Sequence, residues 1–423
     1  MKTYNRLAGL VYIIMIIFTP ILNAQERPTP DNIRQNAIRV FIDCWRCDMD
    51  YIRREIPYVN YVRDVKEAQV YVLRTTQSTG SGGTEYTFTY IGQEEFEGMN
   101  DTLVYHSNPD DTADQTREGT TKMLRMGFMR YIAKTPMFDE IEIIHPGITE
   151  EVEVIDKWDY WVFEIDFDPE LEMEESLKSL NWDNSINISR ITHALKYEFD
   201  ADMNFRKTKY KYEDSTYVRN RNSWRIDNLI VASISEHWSA GLRADLSSST
   251  YRNLNSSLDI MPSVEYNIFP YYESTRRQLR MLYGIGYSYN NYIDTTIYNK
   301  TKEHLLTQSL DVAYQVQQKW GEINISIEAS SYLHDLSKNR IELDSYIRIR
   351  LLKGLSLSIN GGVARINNQI TLPKGDLSEA EILLELQELA TSYSIDGGIG
   401  FTYTFGSIYN NIVNPRFGNG NHY

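Results

Sequence analysis

From about residue 159 onward the chain alternates between apolar and polar positions. Within 159–168, Trp161, Phe163, Ile165 and Phe167 point one way while Glu164, Asp166 and Asp168 point the other. Within 195–206, Leu195, Tyr197, Phe199, Ala201, Met203 and Phe205 interleave with Lys196, Glu198, Asp200, Asp202, Asn204 and Arg206. The last segment behaves alike, with Tyr393, Ile395, Ile399, Phe401, Tyr403 and Phe405 separated by Ser, Asp, Gly and Thr. A period of two held over roughly ten residues is a strand with one apolar and one wet face. Twelve such strands are predicted, near 159–168, 179–190, 195–208, 222–234, 238–249, 256–268, 277–290, 304–317, 320–333, 339–352, 355–366 and 391–405.

Their connections alternate as well. Short ones are expected at 192–194, 235–237, around Lys319 and at 353–354, with a somewhat longer turn after Phe269 and Pro270. Longer polar ones are expected at 169–178, 212–221, 251–256, 294–303, 334–338 and 367–390. Tight turns at one end and long loops at the other are the habit of outer-membrane barrels. Trp161, Trp238, Trp320, Phe269, Tyr271 and Phe405 fall at the short-turn ends, where an aromatic girdle belongs, and Tyr287 and Tyr289 fall toward the other rim. A soluble β-sandwich fits less well, because it offers no place for a whole face of Asp, Glu, Lys and Arg. Turning the faces over would leave a very large aromatic patch in water. Residues 158–406 are therefore expected to form a transmembrane antiparallel β-barrel of twelve strands, with 407–423 as a periplasmic tail.

Residues 36–136 read differently. Strands are predicted at 37–42, 68–73, 84–91 and 102–106, and a helix at 44–56 ended by Pro57. A last helix, capped by Asp110, carries Met123, Leu124, Gly127, Phe128, Tyr131 and Ile132 on one face. That order predicts a small two-layer α/β domain. The glycines at 80–83 lack a following Lys-Ser or Lys-Thr and precede a strand, so they form a hairpin turn rather than a phosphate loop. Cys44 and Cys47, the two cysteines of the chain, stand between a strand and a helix. Two readings attach to them: a thiol–disulfide exchange site at a helix start, or a local bond formed in an oxidising compartment that pins the junction. The second is favoured, since no proline-containing loop of the thioredoxin type follows, and two ligands are too few for structural zinc.

Residues 1–24 have a basic start (Lys2, Arg6), an apolar run and a small residue at Ala24, the order of a secretory signal peptide, followed by a polar linker at 25–35. A second linker is expected at 137–157. No other stretch has the roughly 20 apolar residues of a membrane helix, so only a barrel could span. The mean hydropathy of −0.45 suits a barrel with one wet face per strand. Tyrosine is abundant, 31 against 14 Phe and 7 Trp, as strands and membrane interfaces favour. A net charge of −15 speaks against a nucleic-acid partner.

The wet faces carry both signs of charge. Glu198, Arg206, Arg243, Asp245, Glu265, Arg280, Asp311, Glu328, Glu342, Asp344, Arg348 and Arg350 are expected to line the lumen. They either pair across the interior and close it or border a thin aqueous path, and mixed signs favour pairing. As a catalytic site, Ser331 with His334 and Asp335 has nothing to orient a triad, so an enzyme is not expected. Within 377–390, Ile382, Leu383, Leu386 and Leu389 form an apolar stripe on a helix that a capping box of Asp376 and Glu379 would start, a lid over the barrel mouth or a surface for an outside partner.

Several strings resemble a family of two-part outer-membrane β-barrel proteins common in Bacteroidota. They are Phe41-Ile-Asp-Cys-Trp-Arg-Cys-Asp48, Arg54-Glu-Ile-Pro-Tyr-Val-Asn-Tyr-Val-Arg-Asp64, Gly82-Gly-Thr-Glu-Tyr86, Val264-Glu-Tyr-Asn-Ile-Phe-Pro270, Glu273-Ser-Thr-Arg-Arg-Gln278, Tyr332-Leu-His-Asp335, Leu372-Pro-Lys-Gly375 and Phe405-Gly-Ser-Ile-Tyr-Asn-Asn-Ile-Val-Asn-Pro-Arg-Phe417. The resemblance covers nearly all the mature chain and implies the architecture, an N-terminal periplasmic α/β domain before a C-terminal barrel, without an activity. The leading expectation is a transport, channel or structural protein of the outer membrane whose periplasmic domain docks a partner or gates the barrel. An envelope assembly factor is the alternative, and an outer-membrane hydrolase a third. Outer-membrane lipid, a periplasmic protein and an unspecified small solute are the partners considered; no cofactor and no metal are called for.

Overall fold

A computed structural model describes residues 36–80, 82–142, 157–212, 215–375 and 388–406, together with Tyr409 and Asn411. The expected signal peptide, the linker 25–35, most of the linker 137–157, nearly all of the 377–390 helix and most of the tail lie outside the described residues. Within them the protein is β-dominated, with a mixed five-stranded sheet, a twelve-stranded antiparallel sheet and few helices.

The smaller sheet comprises β1 (Arg39–Asp43), β2 (Asn60–Tyr61), β3 (Val70–Ser78), β4 (Thr84–Gly92) and β5 (Asn100–Ser107), in the order β2-β1-β3-β4-β5. Strand β1 runs parallel to both neighbours, and the remaining pairs are antiparallel. Two helices accompany it, α1 (Met49–Glu55) and α2 (Ala113–Ile132). Helix α1 starts later than the sequence predicts. Cys44 and Cys47 are joined by a disulfide, and that closed loop occupies the expected first turn. The Asp48 carboxylate then caps the helix, accepting from the Tyr51 amide at 2.9 Å. Strand β2 was not anticipated, being only two residues long. Helix α2 is capped by Thr112 rather than by Asp110, through a reciprocal capping box with Gln115 that satisfies two orphan donors.

On one face of this sheet Val40, Val70, Val72, Phe88 and Tyr90 pack with Ile52, Leu124, Phe128 and Tyr131 of the helices. Gly127 is required there, because any Cβ would overlap the Tyr90 ring. The opposite face is apolar too, with Val65, Tyr71 and Leu73 buried against Phe41 and Ile91. Two layers would leave that face bare.

The larger sheet contains β6 (Trp161–Met173), β7 (Leu177–Ile191), β8 (Leu195–Tyr212), β9 (Ser215–Ser233), β10 (Trp238–Ser249), β11 (Leu254–Asn267), β12 (Arg277–Tyr292), β13 (Lys302–Gln318), β14 (Gly321–Tyr332), β15 (Asp335–Leu352), β16 (Leu355–Ile366) and β17 (Tyr393–Tyr403). Each pairs with its chain neighbours, so the order is sequential from β6 to β17. The twelve predicted strands are all present. Among the described residues no pairing joins β6 to β17, so the expected barrel is here a twelve-stranded sheet with two free edges.

The loop expectation needs correction. Residues 169–178, 212–221 and 334–338 are largely strand among the described residues, with turns at 174–176 and 333–334. Only the connections 293–301 and 367–392 are long at that end. Near 212–221 and 334–338 both faces are largely polar and the alternation fades, yet the backbone still pairs across a hairpin, whereas beyond Pro169 the residues Leu171 and Met173 keep the period of β6.

Candidate functional site at the junction of the two sheets

The bare face of the small sheet is covered by the short-turn end of the large one. Alternation along β1 sends Val40 and Ile42 toward the helices and Phe41 and Asp43 the other way. Phe41 stacks on Tyr71 with ring centroids 6.1 Å apart. The Tyr71 hydroxyl donates to Asp43 Oδ2 at 2.8 Å, and Arg350 Nη2 of β15 donates to the same oxygen at 2.7 Å. The Arg350 guanidinium also lies 5.4 Å from the Phe41 ring centroid and donates through Nη1 to the Lys319 carbonyl at 2.8 Å. Burial pushes the Tyr71 hydroxyl well above its ordinary pKa, and the Asp43 charge adds to this. Tyr71 thus stays a donor.

Further contacts continue along that end. Asp64 accepts from the Gly354 amide, and Glu67 pairs with Lys353. Arg63 Nη2 donates to the Gly406 carbonyl at 2.8 Å. Asn411 accepts from the Tyr61 amide at 2.6 Å and donates to Asn60 at 3.0 Å, while Val62 bridges Tyr409. Across the domain, a side chain on Gly80 would collide with Ile191 at the end of β7, and one on Gly82 would press on Val162 of β6. The small domain therefore touches both the first strands of the large sheet and the chain just after its last strand.

Between the two sheets lies a cavity of about 800 Å³. Asp43, Cys44, Trp45 and Arg46 form one wall, Arg74, Thr75 and Tyr86 another, and Glu322, Tyr346, Arg348 and Arg350 of the large sheet a third. A smaller cavity of about 200 Å³ shares Thr76, Thr275, Gln317 and Glu322 with it and reaches Gln315 and Asn324. Those two residues border a third, of about 300 Å³, beside Asp344 and Asp396. The chain of cavities runs from the junction onto the wet face of β13–β15.

Most charges assigned to the lumen share that wet face, but they pair with neighbours along the wall rather than across an interior. Arg280 bonds Asp311 at 2.7 Å and lies 4.0 Å from Glu265. Asp245 is paired with Arg225, Arg243 lies 3.7 Å from Asp227, and Glu342 holds Arg340 at 2.6 Å. Glu198 pairs with Lys196 at 2.9 Å, and Arg206 donates to Asn181 at 2.7 Å. Glu328 sits in register between Asp311 and Glu342. In a second row Asp200, Asp227, Asp245 and Asp259 face one another on successive strands. Like charges so placed are costly, and Arg225 and Arg243 offset part of that cost.

Arg350 was expected in the lumen and instead latches the small domain. Its partners Asp43 and Tyr71, and the neighbouring contacts of Asp64 with Gly354 and of Glu67 with Lys353, are not legible in the sequence; the local hint is that Asp43 shares a strand face with Phe41. Tyr271, expected in the girdle, turns inward: its hydroxyl donates to Glu265 at 2.9 Å and accepts from the Ser239 hydroxyl at 3.2 Å. Ser331 accepts from Gln308 at 3.1 Å and Asp335 from Ser337, and no hydrogen bond between Ser331 and His334 occurs among the described residues. No protein-family model matches the chain, and no curated protein matches it.

Proposed function

We propose that the chain belongs with the two-part outer-membrane proteins it resembles, that β6–β17 close into a barrel in lipid, and that the α/β domain sits beneath its periplasmic end as a gate. One observation carries the gate: a single small domain is fastened by Asp43, Asp64, Glu67 and Arg63 to the short-turn end of the large sheet. Closure is supported by the same domain reaching both β6 and the chain beyond β17. An even number of antiparallel strands also leaves β6 and β17 suitably oriented to pair. An open edge in hydrocarbon would leave backbone groups unsatisfied, which lipid does not tolerate. Lipid itself is supported by the outward face, where Ile165, Ile230, Leu242, Ile285, Leu310 and Ile399 are all exposed. Such a surface is far beyond what a soluble monomer shows to water.

The role is passage, or control of passage, of a small solute. An assembly factor would need a free recognition face on the domain, whereas one sheet face is covered by helices and the other by the large sheet. Planar-bilayer recording tests the reading. The wild-type protein is expected to conduct little, and a variant carrying Asp43→Ala with Arg350→Ala to conduct more. Silence of both, persisting after deletion of 367–390, would defeat the channel role.

A further inference from the structure

We infer that the cavity at the junction binds a small organic anion, one carboxylate, phosphate or sulfate carried on a flat apolar body. The inference goes beyond the gate and does not require the barrel to be open.

Four arginines line this cavity against two carboxylates, in a chain of net charge −15. Arg350 is committed to Asp43, but among the described residues Arg46, Arg74 and Arg348 are held in no ion pair. Arg74 is partly withdrawn from water between the Tyr86 ring, 5.0 Å from its guanidinium, and the Trp45 carbonyl, to which it donates. Its Nε is buried and bonds to nothing. Thr75, next in sequence and only 4% exposed, also has a buried hydroxyl oxygen without a partner. Successive residues of β3 point to opposite faces, so these two atoms do not converge on one ligand; the guanidinium charge of Arg46, Arg74 and Arg348, unpaired around one cavity, is what calls for a negative partner. An oxyanion supplies it, and arginine is the side chain that binds oxyanions most specifically. The flat body follows from the rest of the wall, where Tyr86, Tyr346 and the 75%-exposed Trp45 present rings. The volume suits a ligand of that size. Bound between Arg74 of the small domain and Arg348 of the large sheet, the anion bridges the two parts.

Calorimetric titration of the detergent-solubilised full chain tests this, with phenyl phosphate, inorganic phosphate and benzyl alcohol as probes. Saturable binding of phenyl phosphate is expected, at least about tenfold tighter than inorganic phosphate, with none of the neutral alcohol. Arg74→Gln and, from the opposite wall, Arg348→Gln should each weaken it by roughly tenfold or more. Arg348→Gln keeps the test sound should Arg74→Gln misfold. Absence of binding, equal binding of phosphate or of the alcohol, or unchanged affinity in the folded variants would overturn the assignment.

Discussion

Arg350 on β15 and Asp43 on β1 stand 307 residues apart in the chain and 2.7 Å apart in space. Each side chain is roughly a quarter exposed or less, and Tyr71 supplies the carboxylate with a second donor. Truncating either partner leaves a partly buried charge unpaired, at a cost of roughly 1.5–3 kcal/mol. A double-mutant cycle on Asp43→Ala and Arg350→Ala should return a coupling of about 0.5–3 kcal/mol. Limited proteolysis of the segment 137–157 provides the readout, and additive single effects would contradict the latch.

The Cys44–Cys47 bond closes a very short loop, so its effect on the unfolded chain is modest. Replacing both cysteines by serine should cost about 2 kcal/mol. The same loop forms one wall of the junction cavity. Loss of phenyl phosphate binding is therefore expected alongside loss of stability, and reductant should reproduce both in the wild-type protein.

Gly127 lets α2 approach the Tyr90 ring. Gly127→Ala should destabilise the small domain by about 1–3 kcal/mol through overpacking. Denaturant unfolding followed by near-ultraviolet circular dichroism would register this, and a silent substitution would mean that the packing between α2 and β4 is looser than described.

The two faces of the large sheet should answer differently to substitution. Leu242 points outward from β10, and Leu242→Arg should cost about 2–4 kcal/mol in lipid at mid-depth. Ser247→Ala, on the wet face of the same strand, should stay within about 0.5 kcal/mol. Urea unfolding in lipid vesicles compares them. A harmless Leu242→Arg would argue that water, not lipid, bathes the outer face.

Alkaline pH should loosen the small domain first. Burial raises the pKa of Tyr61, Tyr71 and Tyr90 above the unfolded value of 10.0, and brings Tyr131 to about 12. A group whose folded pKa is raised contributes stability that is complete below the unfolded pKa and lost as pH climbs through the folded one. Stability from these tyrosines is thus flat below pH 10.0 and falls beyond it. Tyrosinate absorbance in a pH titration of the full chain should show a late, cooperative group ionising with domain unfolding. Ionisation of every tyrosine near the ordinary value would refute it.

How much of this was written in the sequence is plain from particular residues. Phe199, Ala201 and Met203 alternating with Asp200, Asp202 and Asn204 define a strand and its two faces, because a period of two is a local property of extended backbone. The same holds for Leu124, Phe128 and Tyr131 on α2, whose helical spacing marks its buried face. What local pattern could not supply was the partner of Asp43, the cover over Tyr71 and Leu73, or the inward turn of Tyr271. Nor could it show that the polar stretch near 212–221 is largely paired strand. An ion pair across hundreds of residues leaves no periodicity behind, and a strand polar on both faces looks like a loop until its backbone finds a neighbour. Burial and pairing at a distance are decided by packing, and only the tertiary structure brings Arg350 to the small domain and gathers Arg74, Thr75 and Arg348 around one cavity.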